Sequence, residues 1–497
     1  MNFSIIKRTM TQWTLLLLAG SSILGCQKTS EKESVTVDKP NVIYILVDDL
    51  GFGDLTTFTP SQQTLTTPNI SKLASEGMKF TNHYAGNSVC GPSRATLLTG
   101  KHNGHNSVRG NHPDQVQLLG DDELTVAKVF QKAGYVTGNI GKWGVGHPPP
   151  VDDPKRKGFD YFYGYINMWH AHNAFPEFLY RNGEKEAIPE NKLQLVDGKN
   201  PWAHKPEGCG VAGVAVKHSH KLFEADALKF ISDNKKNPFF LYLALTAPHA
   251  NNEKFPDGME VESWGEYADK DWPDPEKGFA QNVRYIDNTI GSVMSHLKKE
   301  GIADNTLVIF ASDNGPHGEG GHRVGFFDSN GELRGQKRDM YEGGVRIPMI
   351  AHWPNKVQAG TSTSLTSGFL DVLPTVCEIT SQDVPSDVDG ISFLPTLLGN
   401  SESQKKHNYL YWEFYEQGGK QAILKDNWKA VKLNVRDSKK PVKFELYNLN
   451  EDLSEKNDVA ALYPEKVEMF EKLFQEAHVP FSVTSLFSDE ENVEVAF

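Results

Sequence analysis

The chain is 497 residues long, enough for a large domain with a smaller one beside it and an ample core. Its 51 Lys and Arg against 64 Asp and Glu leave a formal net charge of −13, which argues against a basic nucleic-acid-binding surface. The 38% apolar content excludes a polytopic membrane protein and a disordered chain.

The first stretch carries Lys7 and Arg8, then an apolar run from Trp13 to Leu18 that closes at Ile23-Leu24-Gly25-Cys26. The run is too short to span a bilayer and has the layout of a signal peptide, so residues 1–25 are read as a leader. Small residues followed by Cys26 resemble a bacterial lipoprotein box. That implies a lipidated Cys26, a lipid anchor as the only membrane attachment, and a place on the bacterial cell envelope, at the outer membrane or the periplasmic face. Residues 26–40 are polar and charged, as a tether is. An oxidising envelope permits a disulfide between Cys209 and Cys377, their separation does not decide it, and both are read as free.

Val42 to Val47 is a β-branched apolar run, the pattern of a buried parallel strand, and it ends in Asp48-Asp49. Thr67-Pro68-Asn69 starts a helix with Ile70, Leu73, Ala74 and Met78 on one face. Val126, Val129, Phe130 and Ala133 repeat that spacing, and the strand Tyr135 to Ile140 runs into Gly141-Lys142. A helix with Phe223, Ala227, Phe230 and Ile231 inward precedes the strand Phe239 to Leu245 and Ala247-Pro248-His249. The helix carrying Val283, Ile286, Ile290, Val293 and Leu297 leads to the strand Leu307 to Ala311 and then Ser312-Asp313-Asn314-Gly315. Alternating helices and buried strands predict an α/β domain over 41–398 with a large, mostly parallel sheet flanked by helices. Such sheets bind ligands beyond the carboxyl ends of their strands, where Asp48, Asp49, Lys142, His249, Asp313 and Asn314 fall. From about Gly399, Tyr409 to Phe414, Gln421 to Leu424 and Trp428 to Lys432 read as antiparallel strands, and Pro464 to Ala477 as a closing helix. Residues 399–497 are therefore expected to form a C-terminal α+β subdomain.

The segment Cys90-Gly91-Pro92-Ser93-Arg94, running on to Leu98-Thr99-Gly100, sets a small nucleophile one step before a helix start, with Pro92 at the first helical position. Helix N–H groups and the positive dipole end point back at Cys90, and Arg94 one turn on reaches the same place. That arrangement suits a tetrahedral oxyanion. The three carboxylates and one amide oxygen of Asp48, Asp49, Asp313 and Asn314 form a hard, oxygen-only set fit for Ca²⁺ or Mg²⁺.

Cys-x-Pro-Ser-Arg with Leu-x-Thr-Gly resembles the signature of the type I, formylglycine-dependent sulfatases, arylsulfatase-like members of the alkaline phosphatase superfamily. Gly141-Lys142-Trp143, Ala247-Pro248-His249, Leu333-Arg334-Gly335-Gln336-Lys337 and Glu342-Gly343-Gly344-Val345-Arg346-Ile347-Pro348 match further blocks, from Asn41 to about Gly399. The resemblance implies that a maturase converts Cys90 to formylglycine (3-oxoalanine), that Asp48, Asp49, Asp313 and Asn314 hold one Ca²⁺, and that Arg94, Lys142, His249 and Lys337 surround the sulfate. It implies that the hydrated aldehyde attacks sulfur, that His249 helped by Lys337 protonates the leaving alcohol, and that the second hydroxyl lets sulfate be expelled. Many members read Gly-Lys-Trp-His where this chain has Gly144, so either His147 or a histidine from elsewhere such as His322 is expected to serve as the base in that step, or the step is expected to be slower. Expected substrate contacts are Arg109, Asn111, Trp169, His170 and His172, with His322 and Arg323, in aromatic and basic loops that suit a sulfated sugar. The function implied is hydrolysis of O-sulfate from a sulfated carbohydrate such as algal or animal polysaccharide fragments, with no nucleic-acid partner. A phosphodiesterase or phosphonate monoester hydrolase of the same superfamily, and a non-catalytic sulfated-glycan-binding lipoprotein, are the rival readings.

Overall fold

Five parallel strands form the centre of an eleven-stranded sheet, side by side in the order Thr306–Ser312, Asn41–Val47, Phe239–Ala244, Val136–Lys142 and Tyr161–Tyr165. The structure is a computed structural model that describes residues 39–62, 64–111, 118–483 and 493–495. The leader, Cys26 and most of the tether lie outside the described residues. No helix among the described residues is long and apolar enough to cross a membrane.

The central strands form because both of their faces are covered. Val42, Tyr44 and Leu46 point into one apolar cluster with the helices Cys90–Thr99, Val126–Lys132 and Val372–Ile379. Ile43, Ile45 and Val47 point into another, with the helices Pro68–Glu76, Ser219–Asn234 and Asp274–Lys299. Period-two alternation between two buried faces turns an unbroken apolar run into a strand. Each buried Leu, Ile or Val contributes about 1.5–3 kcal/mol relative to exposure.

The edges depart from the expected pattern. Arg346–His352 runs antiparallel beside Thr306–Ser312, and Met78–Tyr84 antiparallel to that, which restores the direction of the central five. Phe178–Arg181 and Glu184–Ala187 add an antiparallel hairpin at the far edge. These strands carry polar residues and lack a clean period. Arg346–His352 also contains Pro348, tolerated because the register shifts between Ile347 and Met349. Met78, expected on the helix, opens the strand instead, because the helix stops at Glu76 before Gly77.

The C-terminal sheet has four antiparallel strands, Leu410–Phe414, Lys420–Lys425, Trp428–Leu433 and Lys443–Asn448, the last unanticipated. Helix Pro464–Ala477 covers one face through Phe470, Leu473 and Phe474. The other face packs Trp412, Phe414 and Leu424 against Tyr84, Val89, Met340 and Val345, and Trp412 Nε1 donates to the Ala85 carbonyl at 2.8 Å. The small sheet thus presses on the junction that delivers Cys90. Lys39–Phe497 is one compact unit.

Candidate active site

All five central strands point their carboxyl ends at one edge of the sheet. Met78–Tyr84 does the same, and Arg346–His352, running the other way, is entered from that edge. The turns beyond these ends carry Asp48 and Asp49, Cys90, Lys142, His249, Asp313 and Asn314, and Lys337. Asp48 and Asp49 are adjacent, so an extended backbone would send them to opposite sides. A left-handed backbone at Asp49, φ 69°, turns both carboxylates into the same site. Gly141 is required for a similar reason: at φ 109°, a Cβ there would lie 1.9 Å from the Ala244 carbonyl, so only glycine lets Lys142 enter beside the neighbouring strand.

Cys90 is the first residue of its helix and Pro92 the third, two positions further in than expected, still among the N–H groups that no helical acceptor would use. All ten residues of that helix are buried. Asn111 Oδ1 accepts the Gly91 N–H at 3.0 Å, and Ser93 Oγ ties the helix to the Asp313 carbonyl.

Around Cys90 the charges interlock. Its Sγ lies 3.2 Å from Asp48 Oδ1, and Lys142 Nζ donates to Asp48 Oδ2 at 2.7 Å. Arg94 gives Nε and Nη2 to Asp313 Oδ2 at 3.0 and 2.8 Å and Nη1 to the Lys142 carbonyl at 2.8 Å. Lys337 Nζ donates to Asp49 Oδ2 at 2.8 Å, to Glu319 Oε2 at 2.9 Å and to His249 Nε2 at 3.1 Å. His249 Nδ1 is 2.7 Å from the Ala250 carbonyl, so Nδ1 bears the proton and Nε2 is an acceptor. Burial disfavours ionisation of Asp48, yet the charges of Lys142, Arg94 and Lys337 outweigh it and hold the carboxyl well below its usual range. Burial pushes the Cys90 thiol well up, and Asp48 adds to this. Burial and then the Lys337 charge push His249 down to about 3. The site thus pairs each buried carboxylate with a cation, beside a thiol whose ionisation burial and Asp48 oppose.

The carboxylates also fit a cation. Ligand oxygens of Asp48, Asp49 and Asp313 lie with Cys90 Sγ within 4.8 Å of one another, all buried. Each carboxylate gives one oxygen to Lys142, Lys337 or Arg94 and keeps the other turned toward its neighbours. Asn314 Oδ1 is buried without a hydrogen-bond partner, an orphan that a hard ion would satisfy. A second cluster, His102, His105 and Asp389, is a hydrogen-bonded hub instead. His102 Nδ1 accepts the Gly104 N–H, which leaves the proton on Nε2, the nitrogen facing Asp389.

The remaining expected contacts divide. Asn111 reaches the helix that begins at Cys90, and His172 stacks on His249 with centroids 5.0 Å apart and planes at 13°. His147 is buried against Trp169 at 5.8 Å. A Cβ on Gly144 would sit 3.2 Å from Arg94 Cδ and 3.4 Å from Lys142 Cε, so position 144 itself adjoins the anion site. Three expectations are corrected. Arg109 is buried in an ion pair with Glu413 at 2.7 Å and fastens the C-terminal sheet. His170 is packed among Tyr165, Phe178 and Tyr180. His322 is stacked 3.8 Å from Phe279 and held by Glu276 at 2.6 Å, while Arg323 projects outward, 68% exposed. In each case an apolar or ionic partner far away in sequence claims the side chain, which loop composition does not reveal.

Sequence reasoning missed Glu319 and Arg338, which pair with each other beside Lys337, and His317, whose Nε2 donates to the Pro248 carbonyl at 3.1 Å. Their closeness to Asp313-Asn314-Gly315 and to Lys337 was the available signal. Cys209 and Cys377 are free and buried.

Residues 40–382 match the family model Sulfatase. The chain belongs to the sulfatase family. Residues 331–478 of this sulfatase also match the model N-sulphoglucosamine sulphohydrolase, C-terminal. It is 29% identical to an N-acetylgalactosamine-6-O-sulfatase of Bacteroides thetaiotaomicron over 93% of this chain and 98% of that one. It is 32% identical to the N-acetylgalactosamine-6-sulfatase of Homo sapiens over 72% of this chain and 66% of that one. Among solved structures it resembles Ps i-CgsB, with TM-score 0.72 and 27% identity over 88% of this chain and 93% of that one. That protein has also been solved in complex with k-i-k-neocarrahexaose.

Proposed function

We propose that this sulfatase hydrolyses an O-sulfate ester of a carbohydrate, with a formylglycine made from Cys90 by a maturase and one Ca²⁺. The observation that carries the reading is the place of Cys90: its Sγ stands at the first residue of a buried helix, 3.2 Å from Asp48 Oδ1 and within 4.8 Å of a cation-fit carboxylate set to which Lys142 and Arg94 are also bonded. Burial and the Asp48 charge push the thiol up and make it a poor nucleophile, which calls for a different nucleophile at position 90. A formylglycine there supplies, when hydrated, one hydroxyl to attack sulfur and a second through which sulfate is released. Asp48, Asp49, Asp313 and Asn314 would hold the Ca²⁺, which would supply fixed positive charge to the reaction.

The chain's own groups do the rest. Arg94, pinned by Asp313 and the Lys142 carbonyl, and Lys142, pinned by Asp48, present donors that need not reorganise as charge grows on the sulfuryl oxygens. The helix N-terminus at Cys90 adds its partial positive charge. Lys337 holds the proton that it shares with His249 Nε2, and Nδ1 of that ring is fixed on Ala250, so the pair stores the proton for the departing alcohol. On this reading His249 draws the proton for the alcohol from Lys337, whose Nζ lies 3.1 Å from its Nε2. Arg94, Lys142, Lys337 and Arg338 face Asp48, Asp49, Asp313 and Glu319, four cations against four carboxylates. A dication added to that balanced set matches the combined charge of a sulfate ester and an ionised nucleophile.

Support for a carbohydrate comes from the relatives, whose names specify N-acetylgalactosamine 6-sulfate in two cases and whose structures include an oligosaccharide complex. The leader and the lipoprotein-like segment at Cys26 support export and lipid anchoring on the cell envelope. The test is the mass of the tryptic peptide Phe80–Arg94 from protein made beside a maturase, with sulfate release measured on sulfated oligosaccharides and on matched phosphate esters. An aldehyde mass with sulfate release is expected. An intact thiol and no release, beside a control protein that is converted, overturns the reading; faster phosphate release transfers the protein to the rival hydrolase class.

A further inference from the structure

His172 lies in the short turn His170–His172, and its ring covers His249 almost in parallel. Its Nδ1 is 3.1 Å from Glu253 Oε2, and its Nε2 has no hydrogen-bond partner among the described residues and is not sealed from solvent. The Glu253 side chain is 2% exposed and accepts from Lys205 Nζ at 2.9 Å. Its backbone N–H is tied to Asn251 Oδ1 at 3.0 Å, and Asn251 Nδ2 is anchored in turn on the Gly210 carbonyl and on Glu260.

A carboxylate accepts hydrogen bonds and does not donate, so Glu253 fixes the His172 proton on Nδ1 and leaves Nε2 facing outward. Burying a carboxylate is costly unless partners offset it, and Glu253 has two: the imidazole it orients and a lysine from another segment. Carboxylate–imidazole pairs of this kind set the tautomer and angle of a ring whose other nitrogen meets a ligand. Packing alone would not require the charge. Lys205 belongs to the segment 188–218, between the far-edge hairpin and helix Ser219–Asn234, so that segment is coupled to the catalytic wall through one buried carboxylate.

Resting on the sulfatase reading above, we propose that His172 Nε2 binds a ring hydroxyl of the sugar that carries the scissile sulfate, and that Glu253 and Lys205 are positioning residues that hold it there. His172 then sets substrate class: a saccharide sulfate with a free neighbouring hydroxyl is favoured over a sulfate ester of a simple phenol. The residues act on binding and move no atoms in the reaction.

The test compares kcat/KM for a sulfated oligosaccharide that the protein hydrolyses with that for 4-nitrophenyl sulfate. His172→Ala is expected to lower the saccharide-to-phenol preference at least tenfold. Glu253→Gln, nearly isosteric, is expected to lower it three- to tenfold through KM with kcat within twofold. Lys205→Met is expected to act in the same direction and more weakly. Calorimetric binding of the desulfated product to Glu253→Gln gives a second readout that needs no turnover and should weaken by a similar factor. Equal losses on both substrates mean that His172 only supports His249, and an unchanged preference means that it touches no substrate; either result overturns the proposal. Failure of the wild-type protein, with its aldehyde confirmed, on both substrates would instead defeat the sulfatase reading.

Discussion

Replacing Lys337 with Met removes the one cation that touches Asp49, Glu319 and His249 together. The Lys337 side chain is 3% exposed, and methionine matches its length without charge. Two carboxylates then lose a partner; Arg338 still serves Glu319, whereas Asp49 keeps the Asn314 amide and no cation at hydrogen-bond distance among the described residues. Breaking a buried pair by deleting one partner costs about 3–5 kcal/mol. Over the roughly 460 residues from Lys39 to Phe497, an unfolding entropy of about 2.1 cal/mol/K per residue converts this to a Tm loss of about 3–5 °C. Losing a fixed charge from the leaving-group side is expected to lower kcat by roughly 10²–10³-fold. Scanning calorimetry and initial-rate sulfate release measure the two effects. In Lys337→Met/Asp49→Asn, removal of the carboxylate left without a cation should return part of the Tm and none of the kcat. A single variant with unchanged Tm and kcat within threefold of the parent would refute the electrostatic account.

Dialysis against a chelator is expected to lower Tm by several degrees and abolish turnover, with Ca²⁺ restoring both; stabilisation by a bound ligand at 100–1,000 times its Kd is about 3–4 kcal/mol. Insensitivity of Tm to chelator and to added Ca²⁺ would reject the ion. Gly144→Ala must place a side chain at φ 75° beside Arg94 and Lys142, which costs about 1–2 kcal/mol and shifts both cations. Its kcat should therefore fall, Gly144→His should bring no gain, and a gain in turnover for either would show that the backbone there is not fixed. Burial pushes His170 down to about 3, whereas an unfolded imidazole titrates near 6.5. As pH falls through that window the unfolded state takes up the proton first, so stability is lost by about 1.4 kcal/mol per pH unit. His170→Leu should flatten the acid-side decline of Tm by one proton with little change in kcat; an unaltered slope would mean that His170 is protonated in the fold.

The central sheet was legible because Val42–Val47, Phe239–Leu245 and Leu307–Ala311 are apolar on both faces, a condition that leaves few alternatives. Arg346–His352 and Met78–Tyr84 were not legible, since a strand with Pro348 or with alternating polar residues declares itself only beside its neighbours. The same contrast holds in the site. Asp48, Asp313, Lys142 and His249 stood out as polar residues at apolar strand ends. Glu319 and Glu253 stand in loops of mixed composition, and their meaning comes from Lys337, Lys205 and His172, which the chain brings from elsewhere. Arg109, His170 and His322 show the reverse error: each has the right chemistry for a sugar and is already claimed by Glu413, by aromatic rings or by Glu276.

Strand Asn41–Val47 is the first described strand to be made, and both of its partners come much later in the chain. One of its partners, Thr306–Ser312, leaves the ribosome roughly 220 residues after Cys90, which at 5–20 residues per second is a delay of about ten to forty seconds. Until then the strand ends that enclose Cys90 do not exist as a set; afterwards the residue is 2% exposed at the root of a fully buried helix. Under the proposed conversion of Cys90, the converting enzyme works against a clock set by translation and folding. The active fraction of a preparation is then a ratio of two rates, and a molecule that folds before it is altered would be stable, correctly shaped and idle.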